Sequence, residues 1–182
     1  MSIVKIQGNA SGTGEFTLAS PNGNTNRTIT LPDATGTLDR TNRAGNVLQV
    51  VDSGPAASAN YSTTSTSFQT TGWSATVTPT SATSKILLFF NAQVYKGTTD
   101  TYIGITLYRN GSNVVSTGNN YWFLNRLLTG SNVQVMAHYY DSPASTSAQT
   151  YTIYFKSWDG NIVYIGDQGY GVPRLLLMEI AA

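Results

Sequence analysis

The chain has 182 residues, a formal net charge of +1 and a charged fraction of 10%, well under the roughly 25% of an average soluble domain. With no lysine or arginine cluster to neutralise phosphates, the composition argues against a nucleic-acid partner. The absence of cysteine excludes disulfides, thiolate chemistry and cysteine zinc sites.

Serine, threonine, asparagine and glycine supply the polarity instead, which suits a β-rich extracellular or virion protein. The start, MSIVKIQGN, lacks the apolar core of a secretory signal. Synthesis in the cytoplasm of a host cell and release by lysis is therefore the expected route outward. Up to residue 45 the one aromatic residue is Phe16, so this segment has too few apolar groups for a core of its own. EFTLA (15–19) and RTITL (27–31) each alternate, and SPNGNTN (20–26) between them is dense in turn formers. We read residues 1–45 as an extended hairpin arm, with Phe16, Leu18, Ile29 and Leu31 as its apolar anchors. DRTNRAGN (39–46) is a linker, and residues 46–182 form a second, globular domain.

In that domain Val47 to Val51 is the first expected strand, and Trp73, Ala75 and Val77 mark a half-buried one. KILLFFNAQVY (85–95) is the longest apolar run, too short to cross a membrane as a helix. At period two, Ile86, Leu88, Phe90, Ala92 and Val94 form one apolar face, while Leu87 and Phe89 make the start of the other apolar too. We read it as a central strand between two layers, with a buried helix as the rival. Leu87 and Phe89 are candidates for a subunit interface. Thr101 to Arg109 follows, then a hairpin at Asn110-Gly111 into Val114 and Val115. Tyr121 to Leu128 fits helix or strand. Val133 to Tyr140 and Gln149 to Trp158 flank the DSPASTSA loop, Asp159-Gly160 reads as a hairpin turn into Ile162 to Ile165, and Pro173 opens the last strand. About eight short strands with turns every 8–12 residues or so predict an all-β fold, an antiparallel jelly-roll β-sandwich.

RTITLPDATGTL (27–38), preceded by GTGEFTLASPNGNTN (12–26), resembles a module common in tail-fibre and other virion-surface proteins of tailed bacteriophages, cyanophages especially. LLLMEIAA (175–182), DSPAST (141–146) and SATVTPTSATSKILL (74–88) are similar to parts of the C-terminal domain that those proteins often carry. The resemblance implies a homotrimer whose partners are other phage virion proteins of tail, baseplate or capsid, with the arm 1–45 serving virion attachment through Phe16, Leu18, Ile29 and Leu31. Strands apolar on both faces add surplus apolar surface to that expectation. No long repetitive shaft lies between arm and domain.

No catalytic residue, cofactor or metal is expected. His138 has no Ser or Asp beside it, and the carboxylates lack ligand spacing. Asp141, Asp159 and Asp167 lie in predicted loops, where a turn role outweighs a glycosidase pair. Exposed aromatic rings on loops stack on sugars, which makes Tyr121, Trp122 and Tyr170 candidates for contact with a host-surface glycan. For Trp122 and Trp158, packing in the core or the subunit interface is the stronger alternative. Three functions follow: a short trimeric tail-fibre-type virion module contacting the host, a trimeric capsid decoration (cement) protein, or a carbohydrate-binding module. None calls for membrane insertion.

Overall fold

The structure, a computed structural model, describes residues 11–15, 17, 19, 22–26, 28, 43–53, 60–115, 118–128, 132–166 and 172–182. The chain divides into two compact units, Met1–Thr37 and Leu38–Ala182. In the first, the described residues are exposed and residues 22–25 form a bend. The arm anchors Phe16, Leu18, Ile29 and Leu31 lie outside the described residues.

The second unit is all β. Among the described residues it forms β1 (Val47–Asp52), β2 (Tyr61–Thr63), β3 (Gln69–Val77), β4 (Lys85–Lys96), β5 (Thr101–Arg109), β6 (Ser112–Asn113), β7 (Phe123–Leu127), β8 (Val133–Asp141), β9 (Gln149–Ser157), β10 (Val163–Gly166) and β11 (Arg174–Ile180). Every pairing is antiparallel. Setting aside the short β2, β6 and β10, one sheet has the order β1–β11–β4–β8 and the other β3–β9–β5–β7. That is the order of a jelly roll, in which the chain passes repeatedly between two facing sheets.

The run predicted to be central is central. One edge of β4 pairs with β8 along Ile86–Val94. Its other edge is shared, by β11 along Lys85–Asn91 and by β10 along Gln93–Lys96. Ile86, Leu88, Phe90, Ala92 and Val94 point inward and are buried. They meet Trp73, Ala75 and Val77 of β3, Ile103, Ile105 and Leu107 of β5, and Tyr151, Ile153 and Phe155 of β9 in one core. Burying such side chains stabilises by roughly 1.5–3 kcal/mol apiece, before the entropy of ordering them.

Three readings needed correction. Among the described residues eleven strands form rather than about eight, because β2 and β6 are too short to show a period. The strand expected at Val114 and Val115 stops at Asn113, whose side-chain Oδ1 accepts the N–H of Val115 at 2.8 Å. Such local bonds compete with a ladder. Asp159-Gly160 does turn the chain, with Gly160 at φ +85°. It makes no hairpin, however, since β9 and β10 belong to opposite sheets. As for β4, one face is covered within this chain, and Phe89 on the other face, the one assigned to a subunit interface, is 44% exposed. The ambiguous stretch 121–128 is strand from Phe123 to Leu127, fixed by pairing with Thr101–Ile105.

Few charges are present, and several of them hold the sandwich together. Arg109 of β5 meets Asp141 of β8 at 2.5 Å, and the hydroxyl of fully buried Tyr151 donates to the same carboxylate oxygen at 2.7 Å. This triad ties one sheet to the other. Burial, then the bond to Asp141, pushes the Tyr151 phenol far above its ordinary range. Glu179 of β11, fully buried, accepts from the side-chain amide of Gln49 at 2.5 Å, and from the N–H and hydroxyl of Thr80 at 2.7 and 2.8 Å. It pins the loop before β4 to the last strand.

Candidate functional sites on the two outer faces

Each sheet buries one face and presents the other. The register of the first sheet sets Val50, Met178, Leu87 and Tyr140 side by side across four strands. The next row is Asp52, Leu176, Phe89 and His138, and the next Arg174, Asn91 and Met136. Met136 is 78% exposed, Tyr140 58% and Val50 53%, while Leu87, Leu176 and Met178 are half-buried between their neighbours. An ion pair between Arg174 and Asp52 borders the patch. A shallow groove of about 320 Å³ runs past Phe89, Asn91, Gln134, Met136 and His138. The two interface candidates, Leu87 and Phe89, thus stand in one apolar patch. Sequence reading missed Met136, Tyr140 and Val50 as its other members, although the alternation of VQVMAHYY already put Met136 and Tyr140 on a common face.

The outer face of the second sheet is aromatic. Gly104 of β5 has no side chain, and the ring of Tyr121 lies in the space thus left: a Cβ there would come within 2.3 Å of the ring. Tyr121 is part of a run of rings. Phe68 meets it edge-on with centroids 5.6 Å apart, Trp158 lies 6.0 Å from it, and Tyr102 lies 6.4 Å from Trp158. The ammonium of Lys156 sits 5.0 Å from the centroids of both Phe68 and Tyr121, a cation held over ring faces. Tyr102, Leu124 and Trp158 line a groove of about 210 Å³. Farther along the face Tyr108 and Tyr154 stack with centroids 3.9 Å apart.

The three predicted glycan contacts part ways. Tyr121 belongs to the aromatic face. Trp122, its neighbour, turns into the sandwich: its ring packs near Phe90 and Tyr139, and its Nε1–H donates to the carbonyl of His138 at 2.9 Å. Tyr170 lies outside the described residues. Trp158, given above as a packing residue first, is 51% exposed. Phe68, Tyr102 and Lys156 carried no signal in isolation, because strand pairing brings them together from distant parts of the chain.

The carboxylates weighed as a glycosidase pair have other partners. Asp141 is in the buried triad, and Asp159 accepts from the Thr101 hydroxyl at 2.5 Å and the Asn161 N–H at 3.2 Å. The bond from Thr101 foremost holds the Asp159 carboxyl below its ordinary range. Asp167 lies outside the described residues. His138 stands exposed on the apolar face beside Phe89.

No family profile and no characterised protein matches the chain in sequence. Among solved structures it is similar to a chain of the T13 IBDV viral particle, at 14% identity and a TM-score of 0.43 over 86% of this chain. It spans 40% of that chain's length. It is also similar to the CBM22-1 xylan-binding domain of Xyn10C from Paenibacillus barcinonensis, at 15% identity and a TM-score of 0.34, covering 77% of this chain and 98% of that one.

Proposed function

We propose that the chain is a structural, non-enzymatic virion protein of a tailed phage, a short trimeric fibre-type module held to the particle by its N-terminal arm. The observation that carries this reading is the apolar outer face of the β1–β11–β4–β8 sheet. Soluble monomers rarely expose a contiguous apolar patch of more than a few hundred Å². Here Val50, Phe89, Met136 and Tyr140 all stand open on one surface, and covering each would contribute about 1–2 kcal/mol to association. Three copies meeting through this face would cover it. The virion setting rests on the likeness of residues 12–38, 74–88, 141–146 and 175–182 to phage surface proteins. A trimeric capsid decoration is the second reading, favoured by the direct passage from arm to sandwich with no repetitive shaft.

Sedimentation equilibrium at micromolar concentration should give a trimer. The double variant Phe89→Asp, Met136→Asp should sediment as a monomer with an unchanged far-ultraviolet circular dichroism spectrum. A stable wild-type monomer overturns the assembly reading. Mass spectrometry of purified particles should detect the chain, and its absence from them overturns the virion reading.

A further inference from the structure

We propose that the outer face of the β3–β9–β5–β7 sheet is a binding site for an acidic polysaccharide, a chain of carboxylated pyranose rings. The inference rests on the reading of the chain as an outward-facing module and gives its contact surface a place and a ligand class. Two independent features of the face carry it.

The first is the run of rings Phe68–Tyr121–Trp158–Tyr102, with successive centroids 5.6, 6.0 and 6.4 Å apart. Trp158 and Tyr102 are 51% and 40% exposed, and with Leu124 they wall an open groove. A connected series of aromatic rings, with a phenol hydroxyl at Tyr102 and at Tyr121, suits a polymer of flat sugar faces edged by hydroxyls. A globular protein partner, by contrast, favours a rounded apolar patch such as the other sheet provides.

The second feature is charge. Lys156 stands among these rings, and Arg126, exposed, pairs in register with Tyr102. The outward positions of the four strands carry Thr70, Ser74 and Thr76, then Thr150, Thr152, Tyr154 and Lys156, then Tyr102, Gly104, Thr106 and Tyr108, and last Leu124 and Arg126. No Asp or Glu is among these described positions. Nearby Asp159 is committed to Thr101 and Asn161, and Asp100 pairs with Lys96 at 3.2 Å. In a chain with net charge +1, a face with two cations and no carboxylate is complementary to an anionic polymer.

Isothermal titration of the full-length protein with polygalacturonate tests this, with fully methyl-esterified polygalacturonate as the uncharged comparator. Saturable binding to the acid form is expected, at least fivefold tighter than to the ester and weakening as salt is added. Trp158→Ala and Tyr102→Ala should each weaken it tenfold or more. Lys156→Met should bring acid and ester within twofold of each other. Equal binding of acid and ester by the wild type overturns the acidic class. Absence of binding to both, or full binding by Trp158→Ala, overturns the site. A change in sedimentation of Trp158→Ala would make this face a contact between copies and likewise overturn it. A trimer that ignores both polymers refutes this inference alone, whereas a monomer that binds the acid form refutes only the assembly reading.

Discussion

Replacing Glu179 by Gln should cost more than any other one-atom change at the end of this sandwich. The carboxylate is fully buried on β11 and receives three donors: the Gln49 amide, the Thr80 N–H and the Thr80 hydroxyl. Burial by itself would raise its pKa, but the polar groups of Gln49, Ser84 and Thr80 around it outweigh burial and hold the group below its ordinary 4.5. An amide retains one acceptor and turns an NH₂ toward groups that are themselves donors. Bonds to a charged group contribute about 1.5–3 kcal/mol each, and a buried donor left unpaired costs about 1–3. We therefore expect a loss of about 2–4 kcal/mol at neutral pH, or roughly 5–12 °C in Tm. Because the folded pKa is depressed, the stabilisation is fully present above the unfolded value of about 4.5 and is lost as pH falls through the folded one. Urea unfolding of both proteins at one fixed concentration, from pH 7 down to pH 3, should show a gap that narrows below about pH 4.5. A gap under about 1 kcal/mol at pH 7 refutes the reasoning, as does one that stays constant to pH 3.

Three further outcomes are expected. Gly104→Ala puts a methyl group within 2.3 Å of the Tyr121 ring, so it should lower stability by about 1–3 kcal/mol; an unchanged melting curve would mean that the ring does not lie across this strand. Trp122→Phe keeps the inward packing and loses the bond to the His138 carbonyl. It should cost about 1–2 kcal/mol in thermal unfolding while leaving polygalacturonate binding intact, and a selective loss of binding would restore Trp122 as a contact residue. A chain beginning at Leu38 should fold and sediment as the full-length protein does, yet fail to join particles in a complementation assay; its incorporation would place attachment in the sandwich.

The elements legible in the sequence were those with a period long enough to count. β4 could be read residue by residue, because Ile86 through Val94 alternate and the flanking TPTSATS and KGTT end the strand. Its inward face was identified correctly, and Leu87 and Phe89 were set on the other. Three-residue β2 offers no period, and β6 ends where the Asn113 side chain takes the N–H of Val115, a choice local hydrophobicity does not record. YWFLNRLL suits either helix or strand until Thr101–Ile105 is beside it. The sites divide along the same line. Leu87 and Phe89 came from one strand's alternation, whereas the row Phe68–Tyr121–Trp158–Tyr102 joins residues up to 90 positions apart through the pairing of β9 with β3 and β5 and of β5 with β7.

The apolar patch and the aromatic row occupy opposite outer surfaces of one sandwich. In the proposed trimer, copies joined through the first surface would turn the second away from their common axis, so that three identical rows would look outward at once. Binding through one row of rings on a wet surface is weak, and dissociation is fast. Tethering changes that arithmetic: once one row is engaged, a neighbouring row meets the same polymer at an effective concentration on the order of millimolar, and overall avidity rises by about 10² to 10⁴ without any new contact. On this architecture the strength of adhesion is set by subunit count. If the proposed trimer and glycan contact both hold, a variant that separates the subunits would release surface-bound protein as surely as one that removes Trp158, even though every ring in each separate copy remained in place.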